Sequence, residues 1–420
     1  MTVFPRLFSR LLYLALLLLG ASGVMAVPTE EVFSRYKDRI VQVRILDVAA
    51  GTRVGYGSGF AATQADRIVT NFHVIAPMIH APDHHRIELQ QVDGRSMGAE
   101  LVGFDAVRDL AVLRPSQPLA GFFPIAEGDP PKGMRLFSFG VPNDLDFTIV
   151  EGTYNGLIGN SLYDRIHFTG AINSGMSGGP VIDGDGRIVG VNVATESNSV
   201  GFLVPGADVR RLLAQPVKPP SHWRDQLRDQ LLAHQEKVMA PLIGRPLPGY
   251  DLGRYRLPGR FAQYLRCWAD ARRRDTEPFQ VVSQLCHNED AIFVSDSLMS
   301  GQIRFRHDLL EAPKLDRFRF ARLYQRYLET GEADLGGDQD EVGNFVCQQN
   351  FVQSRGPKLK AVLCLRGYRR LTGLYDLFLR VASLDRHDEG MVSTLVISGV
   401  SYRNAMAFSK HYLEQVQWKR

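Results

Sequence analysis

Ser177 stands in the string Gly175-Met176-Ser177-Gly178-Gly179-Pro180. A serine set among glycines can expose its hydroxyl while nearby backbone N–H groups point at one spot. The chemistry this suits is nucleophilic attack on a carbonyl, with the amides of Gly175 and Ser177 converging on the oxyanion; a side chain at position 175 would crowd that oxygen. A Gly-rich turn is the plainer account of the same six residues, so partners decide between the two. Two upstream segments offer them. Ile68-Val69-Thr70-Asn71-Phe72-His73-Val74-Ile75 reads as a short apolar strand that ends by presenting His73, whose ordinary pKa suits proton exchange near neutrality and makes it the candidate general base. Arg108-Asp109-Leu110-Ala111-Val112-Leu113 sets a carboxylate at the mouth of an apolar strand, where Asp109, the candidate orienting acid, would accept the Nδ1–H of His73. Either residue alone reads as a loop histidine or a turn aspartate. Together with Ser177 they describe an acyl-transfer triad.

The order His, Asp, Ser with these flanks resembles the trypsin-like serine proteases, most closely their bacterial HtrA-type branch. The residues that carry the resemblance are Gly57-Ser58-Gly59-Phe60, Thr70-Asn71 ahead of His73-Val74, Asp109 to Leu113, and Ala171-Ile172-Asn173 leading into Ser177-Gly178-Gly179-Pro180. Gly190-Val191-Asn192 and Gly201-Phe202 with Pro205 continue it, so that it spans 30–214, less than half of the chain. It implies a trypsin-like pair of six-stranded antiparallel barrels and a serine endopeptidase with protein or peptide substrates, no cofactor and no metal, engaged in envelope protein quality control or processing. It also implies an acyl-side pocket with its floor near Ala171 and with Ile172, Val191, Asn192 and Val193 close by. No carboxylate occurs among those five, so the expected residue there is small or medium and apolar, since a Lys or Arg would be buried unpaired. Met176 departs from the pattern, which usually has Asn or Asp there. A thioether accepts only weak hydrogen bonds, so other contacts must order the oxyanion loop, or it moves until substrate arrives. Two alternatives stay open: a catalytically silent pseudoprotease or chaperone-like protein that only holds peptides, and an esterase, which differs only in the leaving group.

The chain has 420 residues, 45% of them hydrophobic and 22% charged, a globular composition long enough for two domains. The formal net charge is +4, and Arg6 and Arg10 of the N-terminal segment supply half of that excess. Such a bias is too weak to argue for nucleic acid, and Arg272-Arg273-Arg274 reads as a solvated face. Arg6 and Arg10 precede the apolar run Leu11 to Leu19, and Val24-Met25-Ala26 has the small-x-small form of a signal-peptidase site. Residues 1–26 are therefore expected to be a signal peptide cleaved after Ala26, giving a periplasmic or secreted protein, with an uncleaved anchor as the alternative. Cysteine usage agrees with export: Cys267, Cys286, Cys347 and Cys364 are even in number and lie outside 30–214, which points to disulfides. The expected pairs are Cys267 with Cys286 and Cys347 with Cys364, because the two segments are weakly alike, each an aromatic-flanked cysteine followed by an apolar strand-like run into a second cysteine.

Elements must position these groups. Ile40 to Leu46, Arg67 to Asn71, Leu110 to Leu113, Arg135 to Phe139 and Arg187 to Val193 are short apolar or alternating stretches between Gly, Pro and Asp turns, which suits small antiparallel barrels. Asp183-Gly184-Asp185-Gly186 lacks the glycine and glutamate of a calcium loop at positions 188 and 194, so it reads as a hairpin turn, and His80, His84 and His85 read as a surface loop. Gln215 to Pro220 marks a Pro-rich linker. Beyond it Trp223, Leu227, Leu231 and Leu232, and later Phe408, Tyr412 and Val416, recur at helical spacing around strand-like runs. Residues 221–420 are thus expected to be a disulfide-containing α+β domain, independent of the protease and either governing substrate access or serving as a structural appendage. HtrA-type proteins usually carry PDZ domains there, but no Gly-Leu-Gly-Phe loop occurs; Gly373-Leu374-Tyr375 is a poor match.

Overall fold

A computed structural model describes residues 27–142, 145–197, 200–215, 222–272, 277–329, 335–353 and 356–419. The expected signal peptide and, apart from Gln215, the expected linker lie outside these residues, as do Arg273 and Arg274.

The first half is all-β, as its short alternating runs predict. Helix α1 (Thr29–Tyr36) leads into β1 (Ile40–Asp47), β2 (Arg53–Ala61), β3 (Ile68–Thr70), helix α2 (Phe72–His80), β4 (His85–Gln91), β5 (Ser96–Asp105) and β6 (Leu110–Pro115). These six strands close into an antiparallel barrel in the order β1-β2-β3-β6-β5-β4. A second closed barrel, ordered β10-β11-β12-β9-β8-β7, is built from β7 (Arg135–Gly140), β8 (Thr148–Leu157), β9 (Ile166–Thr169), β10 (Pro180–Ile182), β11 (Ile188–Ser197) and β12 (Val200–Pro205), and α3 (Gly206–Leu213) follows it. Closure removes the exposed edges that such short strands would otherwise leave. Phe60, Val69, Val112, Phe137, Phe139, Ile182 and Val191 meet in one buried cluster, so the barrels share an apolar seam. The Asp183 turn is a hairpin: Asp183 Oδ1 accepts from the N–H groups of Asp185 (2.9 Å) and Arg187 (2.8 Å).

The strand expected over 68–75 stops at Thr70, and Phe72 to His80 is helix. Phe72, Ile75, Ala76 and Ile79 are buried, which is helical spacing. Because Val74 is buried as well, the run is apolar nearly all round and carries no clear period.

The second half is α+β. Helix α4 (Trp223–Ile243) opens it, followed by β13 (Gly249–Leu252), β14 (Tyr255–Pro258), β15 (Arg266–Arg272), β16 (Gln280–His287), β17 (Ile292–Phe293), β18 (Met299–Ser300), β19 (Ile303–Glu311) and α5 (Arg317–Glu329). It ends with β20 (Val346–Gln353), β21 (Lys358–Gly367), β22 (Leu374–Ser383), β23 (Glu389–Ser401), α6 (Tyr402–Glu414) and β24 (Gln417–Trp418). Seven strands form one sheet in the order β15-β16-β19-β23-β22-β21-β20. Disulfides join Cys267 to Cys286 and Cys347 to Cys364, each directly across a hairpin in register, so the two alike segments sit at opposite edges of the same sheet.

Residues of the second half pack directly on the first barrel. Leu227 and Leu231 of α4, Ile292, Val294, Leu298, Leu371 and Leu374 lie in one buried cluster with Phe72, Ile75, Ile79 and Phe104 of the first barrel. Polar contacts accompany this seam: Gln230 bridges Phe104 O and Ala106 N, both at 2.8 Å, and Tyr163 OH meets His234 Nε2 at 3.0 Å. Sequence could not announce this, because an apolar helix face reads the same whether it covers its own sheet or a neighbouring barrel.

Candidate active site

Three connections converge between the barrels. His73 sits in the first turn of α2, Asp109 in the turn before β6, and Ser177 in the loop before β10. His73 Nδ1 donates to Asp109 Oδ2 at 2.7 Å, and the backbone N–H of His73 donates to Asp109 Oδ1 at 2.9 Å. Both carboxylate oxygens are thus engaged by one residue, which fixes the ring tautomer with its proton on Nδ1 and leaves Nε2 basic. Asp109 holds a left-handed backbone, φ 60°, a conformation that aspartate tolerates better than most residues but that still needs support. Support comes from Asn71, whose Nδ2 donates to Asp109 O at 2.7 Å. Burial pushes the His73 pKa down, but the Asp109 charge and hydrogen bond, with a smaller contribution from Asp296, outweigh it and leave the imidazole above its ordinary 6.5.

Ser177 lies in a rigid surround. Ser58 N donates to Ser177 O (2.7 Å), Ser58 Oγ donates to Gly175 O (2.7 Å), and Thr70 Oγ1 donates to Ser58 O (2.7 Å). Gly178 has φ 84°, and a Cβ there would fall on Ser58 O and Thr70 Oγ1, so glycine is required on two counts. Gly175 also has a left-handed backbone, φ 91°. Met176 N–H is tied to Asn173 O and Gly178 N–H to Asn192 O, whereas the Gly175 and Ser177 amides have no backbone acceptor among the described residues. Met176 itself is buried with Leu136, Tyr154, Phe168, Ile172, Val181 and Leu203. Apolar anchoring therefore orders the loop. The Ser177 hydroxyl donates to Val193 O at 3.2 Å, and no hydrogen bond joins it to His73.

The residues expected around the acyl-side pocket separate. Ala171 is exposed. Ile172 is buried and would meet any Cβ added at Gly201. Val191 points into the seam between the barrels, and Asn192 is fully buried, its amide bonded to Phe139 O and Ser138 Oγ at 3.0 Å each. Val191 thus packs into the seam and Asn192 ties β11 to β7, as neighbouring strand positions whose side chains take opposite faces. Val193 does face a cavity of about 780 Å³, which it lines with Tyr163, His167 and Phe202 on one side and His287, Glu289 and Asp290 of the second half on the other. His80 and His85 are committed to backbone carbonyls, His80 Nε2 to Val294 O at 2.7 Å and His85 Nδ1 to Ala81 O at 3.0 Å.

Sequence reasoning missed three contributors. Ser58 organises the Ser177 loop; its place in Gly57-Ser58-Gly59-Phe60 was the only signal. Phe293 packs its ring 5.8 Å from that of His73, and Asp296 lies within electrostatic reach of the same imidazole. Both come from the second half, and no sequence pattern ties them to the triad.

Residues 57–191 match the family model of the trypsin-like peptidase domain. The chloroplast protein Protease Do-like 1 of Arabidopsis thaliana is 36% identical over 180 residues, covering 39% of this chain and 40% of that protein. A probable periplasmic serine endoprotease, DegP-like, of Brucella suis is 32% identical over 201 residues, covering 45% of this chain and 38% of its own. The chain thus spans about two fifths of the length of these curated relatives. A solved serine endoprotease from Yersinia pestis is 27% identical over 44% of this chain and 66% of that one, with a TM-score of 0.38. Residues 57–191, with the two barrels built around them, are a trypsin-like peptidase domain of the HtrA type.

Proposed function

We propose that the chain is an exported serine endopeptidase that cuts peptide bonds through His73, Asp109 and Ser177. His73 Nε2 takes the Ser177 proton as Oγ attacks the carbonyl, Asp109 holds the imidazole and stabilises the imidazolium, and the Gly175 and Ser177 amides receive the oxyanion. Collapse of that intermediate expels the amine, protonated by His73, and water then hydrolyses the acyl-enzyme by the same groups. The observation that carries this reading is the two-point hold of Asp109 on His73, 2.7 Å to the ring and 2.9 Å to the backbone, a geometry a loop histidine has no reason to adopt. Export is supported by the Arg6-to-Ala26 pattern, the paired cysteines and the word "periplasmic" in the name of the Brucella relative. A role in envelope protein quality control or processing follows from the same kinship.

One observation favours the silent, peptide-holding alternative: the Ser177 hydroxyl is bonded to Val193 O and not to His73. A rotation about one side-chain bond redirects it, and apo geometries of such pairs are often loose. Fluorophosphonate labelling decides between the readings. Covalent labelling at Ser177, absent in Ser177→Ala, is expected; a folded wild-type protein that stays unlabelled would leave only the holding function.

A further inference from the structure

Phe293 belongs to a short segment of the second half that crosses from one barrel to the other. At one end Asp290 Oδ2 accepts from Ser161 Oγ and from Leu162 N, both at 2.8 Å, which ties it to the loop between β8 and β9 of the second barrel. At the other end Val294 O accepts from His80 Nε2 at 2.7 Å, at the end of α2 in the first barrel. Four extended steps separate the two anchors, about 13 Å of chain. The segment pairs with β18, Ile292 opposite Ser300 and Phe293 opposite Met299, and Val294 N closes the hairpin on Leu298 O at 3.0 Å. Ile292 and Val294 are buried in the apolar seam with α2, and Phe293, between them, packs against the edge of the same seam, partly exposed, with its ring 5.8 Å from the His73 ring.

The residues just before it, His287 to Ala291, wall the cavity of about 780 Å³ whose opposite side includes Val193. Val193 O is the atom that Ser177 Oγ touches, and Val193 is one of the residues the family resemblance puts at the acyl-side pocket, so this cavity begins beside the nucleophile on that side. Phe293 follows its wall residues by two positions and lies beside the imidazole. Resting on the triad reading above, we propose that Phe293 is a specificity-determining residue contributed by the second half: it presents an apolar surface to the side chain of the second substrate residue on the acyl side, next to His73, and so favours peptides with a branched aliphatic or aromatic residue there. A barrel pair without this segment would leave that side chain in water.

The test uses the full chain and two fluorogenic peptides that differ only at that second residue, Leu in one and Gly in the other. Wild type is expected to prefer the Leu peptide in kcat/KM by about tenfold or more, the range an apolar contact supports. Phe293→Ala should bring the ratio close to one, chiefly through the Leu peptide, and Phe293→Leu should keep most of it. Fluorophosphonate labelling of Ser177 is read alongside, to show that the nucleophile still reacts in both variants. An unchanged Leu-to-Gly ratio in Phe293→Ala would overturn the proposal. So would an equal rise with both peptides and with the label, since Phe293 would then merely obstruct the cleft. If wild type itself does not label, the fault lies in the triad and not in Phe293.

Discussion

Each group at the site is held by a specific contact, and each contact has a price in activity that can be measured. Ser177→Ala or His73→Ala should lower peptide hydrolysis by roughly 10⁴-fold or more, with little further loss in the double variant, because the two act in one proton transfer; comparing the three in one peptide assay checks it. The free enzyme needs His73 neutral, so kcat/KM should rise with pH through a midpoint above 6.5, the direction in which Asp109 and Asp296 move the imidazole. Asp296→Asn removes one of those charges without touching the ring's hydrogen bonds and should move that limb to lower pH. A limb that stays put or moves up would separate Asp296 from the chemistry. Met176 offers a sharper case. Its side chain is fully buried among apolar neighbours, so Met176→Asp, although it restores a residue type usual in the family, puts an unpaired carboxylate into that cluster at a cost of several kcal/mol. Loss of labelling and a lowered melting temperature are expected, whereas Met176→Leu, close in volume, should cost less than about 1.5 kcal/mol and keep activity.

At the scale of elements, the cysteine hairpins set an expectation for stability. Their loops, with sequence separations of 19 and 17 residues, each contribute on the order of 3 kcal/mol in the chain-entropy estimate. Both fasten edge hairpins of the seven-stranded sheet, so reduction should lower the urea midpoint of the second half before that of the barrels. Tryptophan fluorescence follows it, since Trp223, Trp268 and Trp418 all lie beyond residue 214. Equal midpoints with and without reductant would show that the sheet does not depend on its staples. What could be read from sequence divides along the same line. The pairing of His73 with Asp109 and both cysteine pairs were legible because each rests on a local pattern whose chemistry restricts residue type: a histidine after a strand, a carboxylate before one, a cysteine opposite a cysteine. The barrels were legible for a related reason, since short alternating runs between Gly and Asp turns leave few other closures. Helix α2 was misread because its apolar residues nearly encircle it, and proximity in sequence to a pocket says nothing about which of Val191 and Asn192, on opposite faces of β11, would face it. Phe293 and Asp296 were invisible because their meaning depends on a seam about 220 residues away in the chain, and no periodicity encodes a docking surface.

That seam governs the whole molecule. Because α4, Val294, Leu298 and Leu374 cover the same apolar surface of the first barrel that Phe72 and Ile79 present, a chain ended at Ala214 would expose it, and the retained labelling expected of an independent protease should give way to aggregation or a markedly lower melting temperature. Acid offers a gentler probe of the same coupling. His234 sits at the seam against Tyr163, with burial first, then the charges of Arg108 and Lys237, pushing its pKa down to about 4. His307 is wholly buried within the second half, its Nε2 donating to Pro258 O at 2.8 Å, and burial pushes it down to about 4 as well. A histidine whose folded pKa lies below its unfolded value of 6.5 binds its proton more readily in the unfolded chain. Folding stability from both groups is therefore fully present above pH 6.5 and falls as pH drops from 6.5 towards 4. For His307 the loss is on the order of 3 kcal/mol at the acid end. The urea midpoint should accordingly fall between pH 7 and pH 4.5, and less steeply in His234→Gln and His307→Gln, whose amides do not titrate. His234→Gln should specifically keep the two halves unfolding together at pH values where wild type begins to show two transitions. If all three proteins lose stability with the same slope, neither histidine senses the acid, and carboxylates set the acid limit of the fold.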